Sequence, residues 1–221
     1  VASVRNPRLL RALAATVAGE GAELRGEAEV TGIAVEDARV VGVHTTAGRL
    51  DADVVVVCAG AWTACLLRDL APAPPGIRPV RGQMLAFGAA PARLGRIVLT
   101  GNRYLIPRRD GTLLAGSTLE DAGFDKTTTA AGRADLEAFA TGLLPALRGA
   151  PVVAHWAGLR PGSDDGVPTI ARHPGVHGLW VNAGHFRNGI VTAPASAELL
   201  AGLVGGEAPA LDPAPYAWPS A

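Results

Sequence analysis

Four consecutive valines, Val54 to Val57, run into Cys58 and stop at Ala59-Gly60-Ala61. No polar residue alternates with them, so a strand made from this run is expected to bury both faces. That is the pattern of a parallel or mixed sheet covered by helices. The chain can build a domain around such a strand. It has 221 residues, 48% of them hydrophobic and 18% charged, against about 25% charged in an ordinary domain. A chain this long buries roughly 70–75% of its unfolded surface, which excludes intrinsic disorder. Twenty basic residues balance twenty acidic ones, leaving no net field for nucleic acid or an anionic membrane. No apolar run approaches the roughly 20 residues of a membrane helix. Cys58 and Cys65 cannot form a disulfide framework, and the first residues do not resemble a signal peptide, so a reducing cytoplasmic setting is expected. Only Lys126 among the basic residues is lysine, which with the abundant Ala, Gly and Pro points to a GC-rich genome. The chain opens Val1-Ala2-Ser3 and holds one methionine, Met84, so a fragment or processed product is expected.

Around the valine run the pattern is mixed. Asn6-Pro7 is a helix start, with Asn6 expected as N-cap and Pro7 at the first helical position. Leu10, Leu13 and Val17 follow at helical spacing until Gly19 and Gly21. Val30, Ile33 and Val35, then Val40, Val41 and Val43, predict short antiparallel strands that turn again at Ala47-Gly48. Trp62 to Leu70 is expected as a short helix. Pro72, Pro74 and Pro75 form a stiff link, after which Val80 to Ser117 reads as strands only. Arg108-Arg109-Asp110-Gly111 supplies a hairpin turn between Tyr104–Pro107 and Thr112–Gly116. Gly132 to Leu147 has a helical stripe of Leu136, Phe139, Leu143 and Leu147. Val152–Ala157 and Leu179–Val181 are expected strands, and a last helix runs from Ile190 or Thr192 to Val204, ended by Gly205-Gly206.

Three clusters could carry chemistry. Gly184-His185-Phe186-Arg187-Asn188-Gly189 lies between a strand and a helix start, where free amides and the positive helix end favour an anion. Taken alone, it reads first as a connecting loop whose glycines only permit the bend. Arg160 follows an apolar strand within Ala157-Gly158-Leu159-Arg160-Pro161-Gly162. A guanidinium there can grip a carboxylate through two parallel hydrogen bonds, or can simply be a surface arginine in a loop. Tyr104 sits beside Leu105 and Ile106, its hydroxyl either facing a cavity or capping the hairpin. His173 and His177 have a metal-like spacing, but Pro174 and Gly175 make their segment a turn with no accompanying acidic or cysteine ligands, so no metal is assigned. Gly116-Ser117 lacks the second glycine of a nucleophile elbow. No G-x-G-x-x-G occurs among these residues.

Five runs, in order, resemble the glycine oxidases, FAD-dependent amine oxidases of the D-amino-acid oxidase superfamily, many of them associated with thiamine biosynthesis. They are Asp53-Val-Val-Val-Val-Cys-Ala-Gly-Ala-Trp62, Arg78-Pro-Val-Arg-Gly-Gln83, Tyr104-Leu-Ile-Pro-Arg-Arg-Asp-Gly111, Trp156-Ala-Gly-Leu-Arg-Pro-Gly162 and Ala183-Gly-His-Phe-Arg-Asn-Gly-Ile190. Each is weak alone; five at similar spacing are specific. Family members open with a strand, a glycine-rich turn and a helix that bind the ADP half of FAD. This chain starts at what resembles their mid-sequence helix.

The resemblance implies an α/β flavin-domain remainder, a mixed parallel sheet with helices, plus an α+β substrate domain with an antiparallel sheet. Residues 1–76 and 158–221 would belong to the flavin domain, and 77–157 to the substrate domain. FAD would be noncovalent, because no cysteine stands near the position used for covalent attachment in the sarcosine oxidase branch. Val30 would meet the adenine side through its backbone. Gly158 and the residues His185, Phe186, Arg187, Asn188, Gly189, Ile190 and Val191 would wrap the flavin, and the last helix would aim its positive end at it. Arg160 would hold the substrate carboxylate, with Tyr104 and Arg187 beside it. Asn102, Arg103 and Leu119 make the pocket depart from some relatives. No acid–base residue is assigned, since hydride can leave a neutral amine directly. The implied substrate is glycine or another small amino acid or amine, and the implied partner is an N-terminal segment of the same protein. Self-association is left open. The alternatives are a related flavin dehydrogenase of 2-hydroxy acids or D-amino acids, and a truncated piece without catalytic function.

Overall fold

The computed structural model describes residues 2–88 and 94–219. Contacts divide the chain into two compact units. One comprises Val1–Glu27, Gly82–Leu119 and Lys126–Gly158; the other comprises Ala28–Arg81, Glu120–Asp125 and Leu159–Ala221.

The second unit holds two three-stranded sheets. Strands β1 (Val30–Glu36), β2 (Arg39–Thr45) and β3 (Gly48–Asp51) form an antiparallel meander, as the spaced valines predict. The other sheet has the order β10 (Thr169–Arg172), β11 (Leu179–Ala183), β4 (Val55–Val57). Its β10–β11 pair is antiparallel and its β11–β4 pair parallel, which is the mixed sheet expected of the valine run. Helix α2 (Thr63–Leu67) follows β4. Val40, Val57, Leu67, Ile77, Leu179 and Val181 form one core between these elements. At Gly178, φ is +81° and an added Cβ would stand 2.4 Å from the carbonyl oxygen of Asp53. Only glycine allows β11 to enter the sheet there. The last helix, α4 (Gly189–Gly205), rests Leu199 and Leu200 on Ile170 of β10. Gly206 ends it in the left-handed conformation.

Two-sided burial of the valine run is only half realised. Val57 is buried, but Val54 is 47% and Val56 39% exposed. The reason is topological: β4 is the edge of its sheet among the described residues, so one long side of the strand has no neighbour.

The first unit holds most of a sheet of order β6-β7-β8-β5-β9, with β5 at Arg78–Phe87, β6 at Val98–Thr100, β7 at Arg103–Pro107, β8 at Leu113–Gly116 and β9 at Val152–Gly162; the strand ends Arg78–Arg81 and Leu159–Gly162 are grouped with the second unit. The hairpin turn between β7 and β8 closes at Arg108–Gly111, with Gly111 at φ +87°. Helix α3 (Ala130–Leu143) lays Leu136 and Ala140 onto Leu85, Phe87, Leu105, Leu113 and Ala115. Its N-cap is Thr129, whose hydroxyl accepts the Gly132 amide. It ends before Leu147, earlier than the hydrophobic stripe suggests. Pro145 cannot supply an amide and disfavours helical backbone at Leu144. Leu147 nonetheless reaches the core from a separate short turn at Pro145–Leu147.

Two further boundaries differ from the sequence reading. Helix α1 (Asn6–Gly19) has Arg5, not Asn6, at its N-cap, with no side-chain cap. Strand β9 continues to Gly162, so Arg160 lies in a strand rather than in a loop after one. Among the described residues no helix is long and apolar enough to cross a membrane.

Candidate active site

The end of β9 and the turn between β11 and α4 are separated by about twenty residues of sequence, yet hydrogen bonds join them. Gly162 forms an antiparallel bridge with His185. The Phe186 amide donates to the Pro161 carbonyl at 2.9 Å, and the Ser163 hydroxyl donates to the Gly184 carbonyl at 3.1 Å. Arg160, half-buried, precedes this junction directly. The ends of the two sequence clusters, at Pro161–Gly162 and Gly184–Phe186, are therefore joined in one structural feature.

The turn itself is tightly wound. Gly184 has φ +86°, and Phe186 adopts φ +46°, a left-handed conformation that a bulky residue rarely accepts. His185 is held from both sides: its Nε2 donates to Asn182 Oδ1 at 2.7 Å, and its Nδ1 accepts from the Thr192 hydroxyl at 3.3 Å. Burial keeps its pKa below the usual histidine value, so the ring is neutral. Asn182, Thr192 and Ser163 are thus site residues that the sequence alone did not single out. Their only signal is position, Asn182 three residues before His185 on the same strand and Thr192 in the first turn of α4.

The start of α4 is open. Asn188 makes no side-chain cap, and the first turn contains no acidic residue. The amides of Val191 and Thr192 turn back to the Asn188 carbonyl, leaving those of Gly189 and Ile190 without a protein acceptor among the described residues. Arg187 and Asn188 are exposed beside them, and Val191 is 84% exposed. Two free amides at a positive helix end, next to bare apolar side chains, can receive a flat ligand that carries partial negative charge. Space is also open at Gly158, where an added Cβ would meet nothing within 4 Å.

Val30 stands elsewhere in the same unit. It lines a groove of ≈ 670 Å³ together with Val55, Val56, Cys58, Trp62 and Cys65. Cys58 is exposed as a residue, yet desolvation at its sulfur pushes the thiol above its usual pKa, which disfavours the thiolate.

Tyr104 belongs to the other unit, on β7. Its ring lies over Gly116 so closely that a Cβ there would stand 2.7 Å from a ring carbon, and its hydroxyl faces Met84 Sδ at 3.7 Å. Asn102 is exposed and Leu119 is 57% exposed. Two other residues of the five runs are tied into the framework. Arg81, buried, binds Glu120 at 2.7 Å and Asp125 at 2.7 Å. Gln83, also buried, accepts from the Thr129 amide at 2.9 Å and from His155 Nε2 at 2.9 Å.

Known proteins are similar to this chain in sequence and fold. The family profile described as "FAD dependent oxidoreductase" matches residues 2–203. The chain is 54% identical over 218 residues to the glycine oxidase of Pseudomonas putida, covering 98% of this chain and 60% of that protein. It is 36% identical over 197 residues to the hydrogen cyanide synthase subunit HcnC of Pseudomonas protegens, covering 89% of this chain and 47% of that one. The crystal structure of glycine oxidase from Geobacillus kaustophilus superposes with a TM-score of 0.90 at 35% identity, over 96% of this chain and 57% of that chain. An iminodiacetate oxidase from Chelativorans sp. BNC1 gives 0.87 at 29% identity, over 96% of this chain and 58% of that chain. The chain thus spans about three fifths of the length of its curated glycine oxidase relative.

Proposed function

Because this chain belongs to the FAD dependent oxidoreductase family, we propose that it is the C-terminal part of a flavin oxidase that oxidises glycine or another small amino acid or amine. The observation that carries this reading is the hydrogen-bonded junction of Pro161–Ser163 with Gly184–Phe186. It sets a strand-borne arginine next to an uncapped helix start. The residues suit noncovalent FAD: unpaired amides at Gly189 and Ile190, and exposed Ile190 and Val191. His185 to Val191 would line the isoalloxazine, and Val30 would meet the adenine side through its backbone. Residues 1–76 and 158–221 would form the flavin-binding part and 77–157 the substrate-binding part. The grouping of Ala28–Arg81 with Leu159–Ala221 supports joining the two stretches, while Val1–Glu27 groups with the five-stranded unit.

When bound, FAD supplies the two-electron acceptor for the α-carbon hydride and passes the pair to oxygen, which leaves as hydrogen peroxide. The chain's residues orient and polarise. Arg160 grips the substrate carboxylate in a two-pronged bond that fixes the α-carbon, with Arg187 of the same unit beside it. The N-terminus of α4 would hold the flavin and favour negative charge there. Neutral His185, clamped by Asn182 and Thr192, keeps the turn in shape rather than exchanging protons. The substrate amine leaves as an imine, which water hydrolyses to an oxo acid and ammonia.

The remaining part of FAD would be held by a segment outside these 221 residues. The unpaired edge of β4 and the groove beside Val30 supply an apolar surface for it. The test is oxygen uptake by the full-length protein. Stoichiometric peroxide from glycine is the expected result. Turnover only with a quinone acceptor, or only with 2-hydroxy acids, would replace this reading with a dehydrogenase.

A further inference from the structure

Away from these residues, the β7–β8 turn and the start of α1 enclose a groove of ≈ 840 Å³ whose charged lining is Arg5, Arg8, Arg108, Arg109 and Asp110. The whole chain is neutral, so this gathering of guanidinium groups is a local excess. Only one of the four has a carboxylate: Arg5 donates to Asp110 at 2.7 Å. Among the described residues, no carboxylate pairs with Arg8, Arg108 or Arg109. Asp110 is further engaged by the Thr112 hydroxyl at 2.6 Å and the Thr112 amide at 3.1 Å. These bonds, more than Arg5, hold its carboxyl down to about 2, so it stays charged.

Like charges that line one groove repel, and a surface gathers them at no benefit to the fold. A multivalent anion removes that repulsion. Guanidinium forks match phosphate oxygens two at a time, and three uncommitted forks exceed what a single carboxylate satisfies. The groove is also within the size range of small-ligand sites. We propose that this groove binds a phosphate-bearing anion carrying at least two negative charges, with Arg8, Arg108 and Arg109 as its ligands and Asp110 competing for Arg5. All five residues lie in the five-stranded unit, and none belongs to the proposed flavin or carboxylate contacts.

The experiment is calorimetric titration of the full-length protein, as isolated, with sodium pyrophosphate at low salt. Saturable binding of one pyrophosphate per chain is expected. Arg8→Gln and Arg109→Gln should each weaken it about tenfold, the worth of one charge-assisted hydrogen bond. Asp110→Asn should tighten it, because the amide oxygen still accepts from Thr112 while Arg5 is released. That gain in affinity cannot come from misfolding. ADP binding no tighter than pyrophosphate would assign recognition to the phosphates alone, and tighter ADP binding would identify a nucleoside diphosphate. Absence of saturable pyrophosphate binding, or an Asp110→Asn protein that binds no better than the parent, overturns the proposal.

Discussion

Arg160 shows how much a single position asks of its surroundings. It lies near the end of β9, half-buried, one residue before the junction that fixes the 184–188 turn. A guanidinium in such a place costs solvation unless hydrogen-bonded groups compensate it, and a substrate carboxylate has the matching fork. Arg160→Ala in the full-length enzyme should therefore cost on the order of 2–5 kcal/mol in kcat/KM for glycine. Arg160→Lys should recover only part of that, because a point charge cannot reproduce a two-pronged grip. Steady-state rates on an uncharged amine of similar size are the control. Equal loss on both substrates would make Arg160 a framework residue. Arg160 and the 184–189 turn were legible in sequence because a lone arginine after apolar residues, and a glycine pair before a helix, are local signals. Asn182 and Thr192 were not, because their bonds to His185 exist only once β11 and α4 are in place.

Among the elements, the turn between β10 and β11 rests on a buried histidine. The His173 amide bonds to the Leu179 carbonyl at 2.8 Å, its Nδ1 accepts from the Gly175 amide at 3.1 Å, and its ring meets Trp218 edge-on at 4.6 Å. With Nδ1 an acceptor, the ring is neutral, and its Nε2 has no protein acceptor among the described residues. Burial accordingly holds the pKa below the ordinary value of 6.5. The unfolded chain takes up the proton first, so the sign follows directly. This contribution is fully present above pH 6.5 and is lost as pH falls from there through the lower, folded value. His155 and His185 are also lowered, chiefly by burial, and add to the same slope. Urea midpoints of the full-length protein should fall between pH 7.5 and 5.5. His173→Asn, which keeps an acceptor for Gly175 but cannot titrate, should flatten that dependence; an unchanged slope would remove His173 from the account. The sequence showed this segment as a turn from Pro174 and Gly175. What it could not show was the packing of His173 against a tryptophan 45 residues later.

Across the whole molecule, large apolar side chains lie bare where a neighbour would cover them. Val56 on the β4 edge and Leu10 and Leu13 on α1 are each more than a third exposed, and α1 buries no residue at all. The curated relatives in turn are longer than this chain. Titrating FAD into the isolated 221 residues should therefore give weak binding, while the full-length protein retains the flavin through gel filtration. A glycine-rich turn before a helix start is the usual cradle for a dinucleotide's phosphates, and no G-x-G-x-x-G occurs among these residues. Tight one-to-one binding by the 221-residue chain alone would refute the division of the flavin site between two segments.

By itself the sequence determined the membership of the chain and the kind of each element. Periods of two and 3.6, proline and glycine stops, and five motif runs are properties of neighbouring residues, and they survive whatever the rest of the chain does. Tertiary structure decided three things. It made β4 an edge strand rather than a covered one, because a strand's burial depends on what lies beside it. It carried β9 through Arg160, because pairing with a partner strand extends a ladder past the point where the hydrophobic pattern stops. And it brought Pro161–Ser163 against Gly184–Phe186, a contact set by backbone amides and carbonyls that every residue carries and no sequence pattern can mark.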